Sequence, residues 1–143
     1  MSTPTNTQRG RVYRGNGGRD DGFAAPLRHP DRRNVRRGEI WTQSGGPGYA
    51  SKPRPVVIVQ SDLLEGSDSI VICLFTSLEG ARLKARLPFV PTPDNGLLEA
   101  SELMVDKIMT VPRTKLGRRI GALSADEVGE VEHALAFVLG FAR

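Results

Sequence analysis

The stretch Ser51-Lys52-Pro53-Arg54-Pro55-Val56-Val57-Ile58-Val59-Gln60-Ser61-Asp62 sets an arginine between two prolines and then runs into four β-branched residues. Such a run reads as a buried strand. The prolines stand at its start, where a missing N–H costs least. Each also restricts the residue before it, Lys52 or Arg54, to extended backbone. A permanently charged guanidinium is therefore held on stiffened chain at the mouth of an apolar strand. By residue type alone this is a rim arginine with a carboxylate partner. The rest of the chain turns the reading towards an anion site.

On its N-terminal side, Glu39-Ile40-Trp41-Thr42 forms a short strand, with Trp41 read as core. Gln43–Ala50 is a mobile loop, marked by Gly45-Gly46-Pro47-Gly48. After the central strand, Pro53–Gln60, Leu63-Leu64 gives a turn of helix before Glu65-Gly66-Ser67-Asp68. Ser69–Phe75 is a second buried strand ending in Thr76-Ser77, and Ala85–Val90 is a third. Pro91–Gly96 is a turn, signalled by Asn95-Gly96. Leu103–Val111 reads as further strand broken by Pro112, Arg113–Lys115 as a helical turn, and Arg119–Leu123 as a last strand. The end is a helix. Ser124 and Glu127 form a capping box, and Val128, Val131, Leu135, Val138 and Leu139 recur along one stripe. His133 falls on the opposite, exposed side. The fold class is mainly β with a C-terminal helix, a small and strongly bent antiparallel sheet or barrel.

The 143 residues suit one domain with a tail. A net charge of +4 hides an asymmetry. Over residues 1–38, nine arginines stand against three aspartates, whereas residues 39–143 carry eleven basic and thirteen acidic side chains. Residues 1–36, rich in Arg, Gly, Asn, Thr and Pro, cannot bury enough apolar surface to offset ordering entropy and read as a disordered basic leader. Residues 37–143 form the domain, and any phosphate site in it must be local. The one cysteine, Cys73, lies in an apolar run and excludes an internal disulfide. No run approaches the ~20 apolar residues that span a membrane, and the first residues carry no apolar signal segment. A cytoplasmic, reducing setting fits.

Absences prune the chemistry. The glycines at 45–48 lead into a strand, so they are not a nucleotide cradle. Two histidines and one cysteine, far apart, cannot make a four-ligand metal site. There is no Gly-x-Ser-x-Gly elbow. Arginine, threonine, serine, lysine and carboxylates remain. That set suits RNA cleavage, in which the substrate carries its own nucleophile, the 2′-hydroxyl. A guanidinium grips phosphate oxygens through paired N–H donors, and a nearby hydroxyl adds another donor.

Five segments in order resemble the MazF/PemK family of toxin endoribonucleases. These are Arg37–Trp41 with the glycine-rich loop; Lys52–Asp62; Val71-Ile72-Cys73-Leu74-Phe75-Thr76-Ser77; Leu103-Met104-Val105-Asp106-Lys107-Ile108; and Leu116–Ser124 with the terminal helix. The resemblance implies an SH3-like small barrel of the MazF/PemK/CcdB-like type. It also implies a homodimer that cleaves single-stranded mRNA, or rRNA, at short motifs without a metal or other cofactor. Products would end in a 2′,3′-cyclic phosphate and a 5′-hydroxyl. A cognate MazE-like antitoxin would cover the site, and the toxin–antitoxin complex would contact operator DNA. The family's catalytic arginine and threonine fall on Arg54 and Thr76. Lys52, Tyr49, Ser77 and Lys107 are candidate substrate contacts. The chain departs from some members in having no carboxylate in the loop before the arginine, and it has Lys107 where glutamine is common. The alternatives are a non-enzymatic toxin of this fold that binds DNA gyrase and a catalytically inactive nucleic-acid-binding relative.

Overall fold

The computed structural model describes residues 34–44, 52–64, 66–78 and 85–142. The chain divides into two units after Arg33, and the account below concerns the second. The expected leader lies outside the described residues as far as Arg33. Its last residues already belong to the folded unit, because Val35 packs against a core cluster and the Arg36 N–H donates to Glu39.

Among the described residues seven strands and one α-helix follow one another as β1 (Glu39–Gln43), β2 (Arg54–Ile58), β3 (Ser69–Ser77), β4 (Arg86–Phe89), β5 (Ser101–Met104), β6 (Met109–Pro112), β7 (Leu116–Ala122) and α1 (Ala125–Val138). The sheet runs β4-β5-β3-β2-β1-β7, with β6 also paired to β3. Among the described residues the strands pair antiparallel. The mainly β fold with a terminal helix is as expected, and the barrel takes the form of a bent, open sheet among the described residues.

The bend is made on one edge of β3. The first half of β3, Ser69–Ile72, pairs with β6, and its second half, Phe75–Ser77, pairs with β5. Between β5 and β6 the chain makes a 3-10 turn, Val105–Lys107. The single strand expected over Leu103–Val111 is thus two strands with a corner between them, and Lys107 lies on that corner rather than in a strand. Lateral pairing to two different halves of β3 is what divides it. The 3-10 turn at Arg113–Lys115 matches expectation, while β7 begins earlier than expected, at Leu116. Leu63 and Leu64 form a tight turn, not helix, and both are exposed.

Alternation along the strands fills two cores, one on each face of the sheet. Ile40, Val57, Cys73, Phe75, Leu103 and Val105 join Val131 and Ala134 of α1 on one face. Trp41, Val56, Ile58, Ile70, Ile72, Val111 and Leu116 pack on the other. Trp41 is core, as expected, and its indole N–H donates to Glu39. The helix starts on the expected capping box: Ser124 Oγ accepts from the Glu127 N–H at 3.1 Å, and the Ser124 N–H donates to Glu127 at 2.8 Å. Val128, Leu135 and Val138 are partly buried against the first core, whereas Leu139 and His133 are exposed.

Arg37, the first residue of the first motif, is a tie. Its Nε donates to the Val59 carbonyl at 3.1 Å, its Nη1 reaches Glu132 of α1 at 2.6 Å, and its N–H donates to Asp62 at 2.7 Å. It fastens the far end of the central strand to the helix.

The Asn95-Gly96 turn is built around a buried side chain. Asn95 accepts from the Thr92 and Leu97 N–H groups and donates to the Val90 carbonyl. Gly96 has φ +68°, and an added Cβ would strike the Ile120 carbonyl of β7. Gly96→Ala should therefore destabilise the domain by at least about 2 kcal/mol, read as a lowered urea midpoint. An unchanged midpoint would show that the turn can move away from β7.

Candidate active site

The β2–β3 register pairs Val56 with Leu74, Val57 with Cys73 and Ile58 with Ile72. Continued by two residues, it sets Arg54 opposite Thr76. On the other side Arg54 is paired with Gln43 of β1. Thr76 is paired with Glu102 of β5. Directly opposed residues share a face. Cys73, Phe75, Val57 and Leu103 point to the helix-side core, so Gln43, Arg54, Thr76 and Glu102 all lie on the other face. A polar row thus crosses four adjacent strands at one end of the second core.

Arg54 and Thr76 are half-buried, and Glu102 is only 2 % exposed. Gln43, expected in the loop, is instead the last residue of β1, held by pairing to both Arg54 and Leu116. Its side-chain oxygen is buried with no hydrogen-bond partner among the described residues. Arg86 of β4 flanks the row. Its guanidinium donates to Asp106 at 2.7 and 3.4 Å and reaches Glu102 at 3.8 Å.

The remaining candidates are more scattered. Lys52 is exposed just before β2. Ser77 is exposed and, by alternation, faces away from Thr76. Lys107 is exposed on the corner between β5 and β6. Tyr49 lies outside the described residues. The sequence reading missed Glu102 and Gln43. Alternation against Leu103, an inward apolar residue, would have put Glu102 on the opposite face of the sheet.

Two titrations mark the surroundings. Burial, with the Asp106 charge adding to it, pushes the Cys73 thiol up to about 12, so it is inert packing, as its place in the core requires. The hydrogen bond from Arg86 holds the Asp106 carboxyl below its ordinary value. Among the described residues no cluster of His, Cys, Asp and Glu could hold a metal ion.

The family model described as "PemK-like, MazF-like toxin of type II toxin-antitoxin system" matches residues 36–139. A Mycolicibacterium smegmatis protein named "Probable endoribonuclease MazF" is 38% identical over 108 residues, 76% of this chain and 99% of the relative. Among solved structures, a mycobacterial endoribonuclease in complex with its cognate antitoxin superposes with a TM-score of 0.61 at 20% identity, covering 78% of this chain and 98% of that one. The Mycobacterium tuberculosis toxin MazF-mt6 also gives 0.61, at 23% identity, covering 73% and 99%.

The Arg86–Asp106 pair makes a checkable contribution to stability. A depressed folded-state value means the stabilisation is complete above the ordinary carboxylate value of 3.8 and is lost as pH falls through the folded value. Asp106→Asn should cost about 1 kcal/mol at neutral pH for so accessible a pair. In denaturant titrations the gap from wild type should close at the acid end, and a gap independent of pH would refute the linkage.

With the family match spanning residues 36–139 and a mainly β fold ending in the expected helix, the chain belongs to the PemK-like, MazF-like toxins of type II toxin–antitoxin systems.

Proposed function

We propose that this chain is the endoribonuclease toxin of a type II toxin–antitoxin pair, cleaving single-stranded RNA at the phosphate held between Arg54 and Thr76. The observation that carries the reading is the cross-strand row itself. It brings a guanidinium and a hydroxyl, separated by 22 positions in the sequence, to neighbouring strands on one face. The chain's nearly full coverage of a relative named as an endoribonuclease supports the activity.

The chemistry asks little of the protein. The 2′-hydroxyl gives up its proton as its oxygen attacks the adjacent phosphorus, the bond to the 5′-oxygen breaks, and that oxygen takes up a proton, so the products carry a 2′,3′-cyclic phosphate and a 5′-hydroxyl. Charge accumulates on the non-bridging oxygens of the phosphorane. Arg54 offers several N–H donors in a fixed plane for those oxygens, and Thr76 adds a hydroxyl donor. Half-burial strengthens both contacts relative to open water. The guanidinium supplies the positive charge that a metal ion gives in other nucleases, so the reading is metal-independent. Lys52, at the entrance to β2, is placed to meet a neighbouring phosphate by charge alone.

The partners follow the same reading. One solved relative is an endoribonuclease in complex with its cognate antitoxin, and a cognate antitoxin and a second copy of the toxin are proposed here. Among the described residues no helix is long and apolar enough to cross a membrane. With a single free buried cysteine, that fits the proposed cytoplasmic setting.

Purified protein should cleave single-stranded RNA in the presence of EDTA, with mapped fragments ending in 2′,3′-cyclic phosphate and 5′-hydroxyl. Arg54→Ala should reduce the rate at least about 100-fold, and Thr76→Val about 10- to 100-fold. Both variants should keep the wild-type circular dichroism spectrum. Intact RNA across varied sequences with folded wild-type protein would overturn the proposal, as would full activity in folded Arg54→Ala.

A further inference from the structure

We infer that Glu102 is a positioning residue for the cleavage site: one oxygen of its carboxylate, Oε2, accepts from the Arg54 guanidinium across Thr76 and fixes the edge that Arg54 turns to the phosphate. The inference rests on the reading of Arg54 and Thr76 given above.

A carboxylate that is 2 % exposed is costly unless hydrogen-bonded cationic or donor groups compensate it. On the β4 side its Oε1 faces Arg86 and has no hydrogen-bond partner among the described residues. Arg86 directs its two-pronged hydrogen bonding to Asp106 and approaches Glu102 only to 3.8 Å. On the other side the nearest neighbours in the row are Thr76, directly opposite, and Arg54 one strand beyond. Adjacent strands lie about 4.8 Å apart, so the Arg54 and Glu102 backbones are about 10 Å apart across β3. An extended arginine and a glutamate together span that gap over a residue as short as threonine.

Asp106 is engaged by Arg86, and Glu39 by Trp41 and Arg119. Gln43, on the other flank of Arg54, leaves its own oxygen without a hydrogen-bond partner among the described residues. Within the row, Glu102 is the one carboxylate on the face of Arg54. Its burial also sets the kind of role it plays. Glu102 cannot itself meet an RNA strand, so it acts through the guanidinium. A guanidinium has five N–H donors; one edge given to Glu102 leaves the rest for phosphate oxygens.

The test is steady-state cleavage of a short RNA by Glu102→Gln, Glu102→Asp, Arg54→Lys and the Glu102→Gln/Arg54→Lys double variant, with thermal melts on each. Misaiming the guanidinium should lower kcat of Glu102→Gln by up to about 100-fold with KM within about twofold of wild type. Glu102→Asp, which keeps the charge but shortens the reach, should fall between Glu102→Gln and wild type. Arg54→Lys loses the fork that Glu102 orients, so the double variant should be no slower than Arg54→Lys alone. The inference is overturned if folded Glu102→Gln, or Glu102→Asp should the amide not fold, turns over at the wild-type kcat. It is equally overturned if the two losses multiply in the double variant, which would mean that Glu102 acts independently of Arg54. Wild-type rates in folded Arg54→Ala would instead bring down the site reading itself, and this inference with it.

Discussion

The register of β2 against β3 is the constraint on which the rest of the structure depends. Side chains alternate with period two, so a slip of one residue would send Arg54 and Thr76 to opposite faces and exchange the two cores. Both faces resist the slip. Val57 and Cys73 are packed under the helix, and Val56, Ile58 and Ile72 fill the second core. All five are essentially inaccessible to solvent. Displacing them would forfeit roughly 1.5–3 kcal/mol for each large side chain exposed. The position of the polar row is thus fixed by apolar packing that lies one or two residues further along the same strands.

That arrangement explains how charges survive at the end of a core. The second face is apolar over Val56, Ile58, Ile70 and Ile72 and turns polar only at its last row. There the groups alternate in character across the sheet as Glu102, Thr76, Arg54 and Gln43, with Arg86 of β4 flanking Glu102. Each charged member has an opposite charge or a donor within two strands, which limits the desolvation cost. A low local dielectric favours the role proposed for Arg54, because a guanidinium on stiff backbone attracts a phosphate more strongly there than on open surface. The Arg37 tie and the Asn95-Gly96 turn hold other parts of the sheet, so the row is framed by rigid elements.

The strand that carries Arg54 was legible because its signal is local: four β-branched residues and two prolines in one run. The capping box was legible for the same reason. The resemblance to toxin endoribonucleases rested on such local runs in the right order. What could not be read was set by pairing between distant residues. Gln43 looks like loop beside its glycines and becomes strand only because β2 and β7 flank it on both sides. Leu103–Val111 has strand composition throughout, yet it turns a corner at Val105–Lys107 because two halves of β3 claim it. Glu102 was passed over because a glutamate in a short segment is exposed by default; its burial comes from β3 and β4 on either side.

The topology also separates two tasks that a sequence-selective ribonuclease must perform. Gln43 is the last residue of β1, Arg54 the first of β2 and Ser77 the last of β3. The row therefore lies at the strand ends from which the β1–β2 and β3–β4 connections depart. Phosphate is common to every RNA, and the groups proposed to handle it stand on strands whose register the cores fix. Bases differ from site to site, and single-stranded RNA is read through splayed bases by side chains that need only local freedom. Connections leaving the same end can change in length and residue type without disturbing the register. A fold of this kind can keep one cleavage chemistry and vary what it cuts, because the strands that carry the row and the connections between them are different parts of the chain.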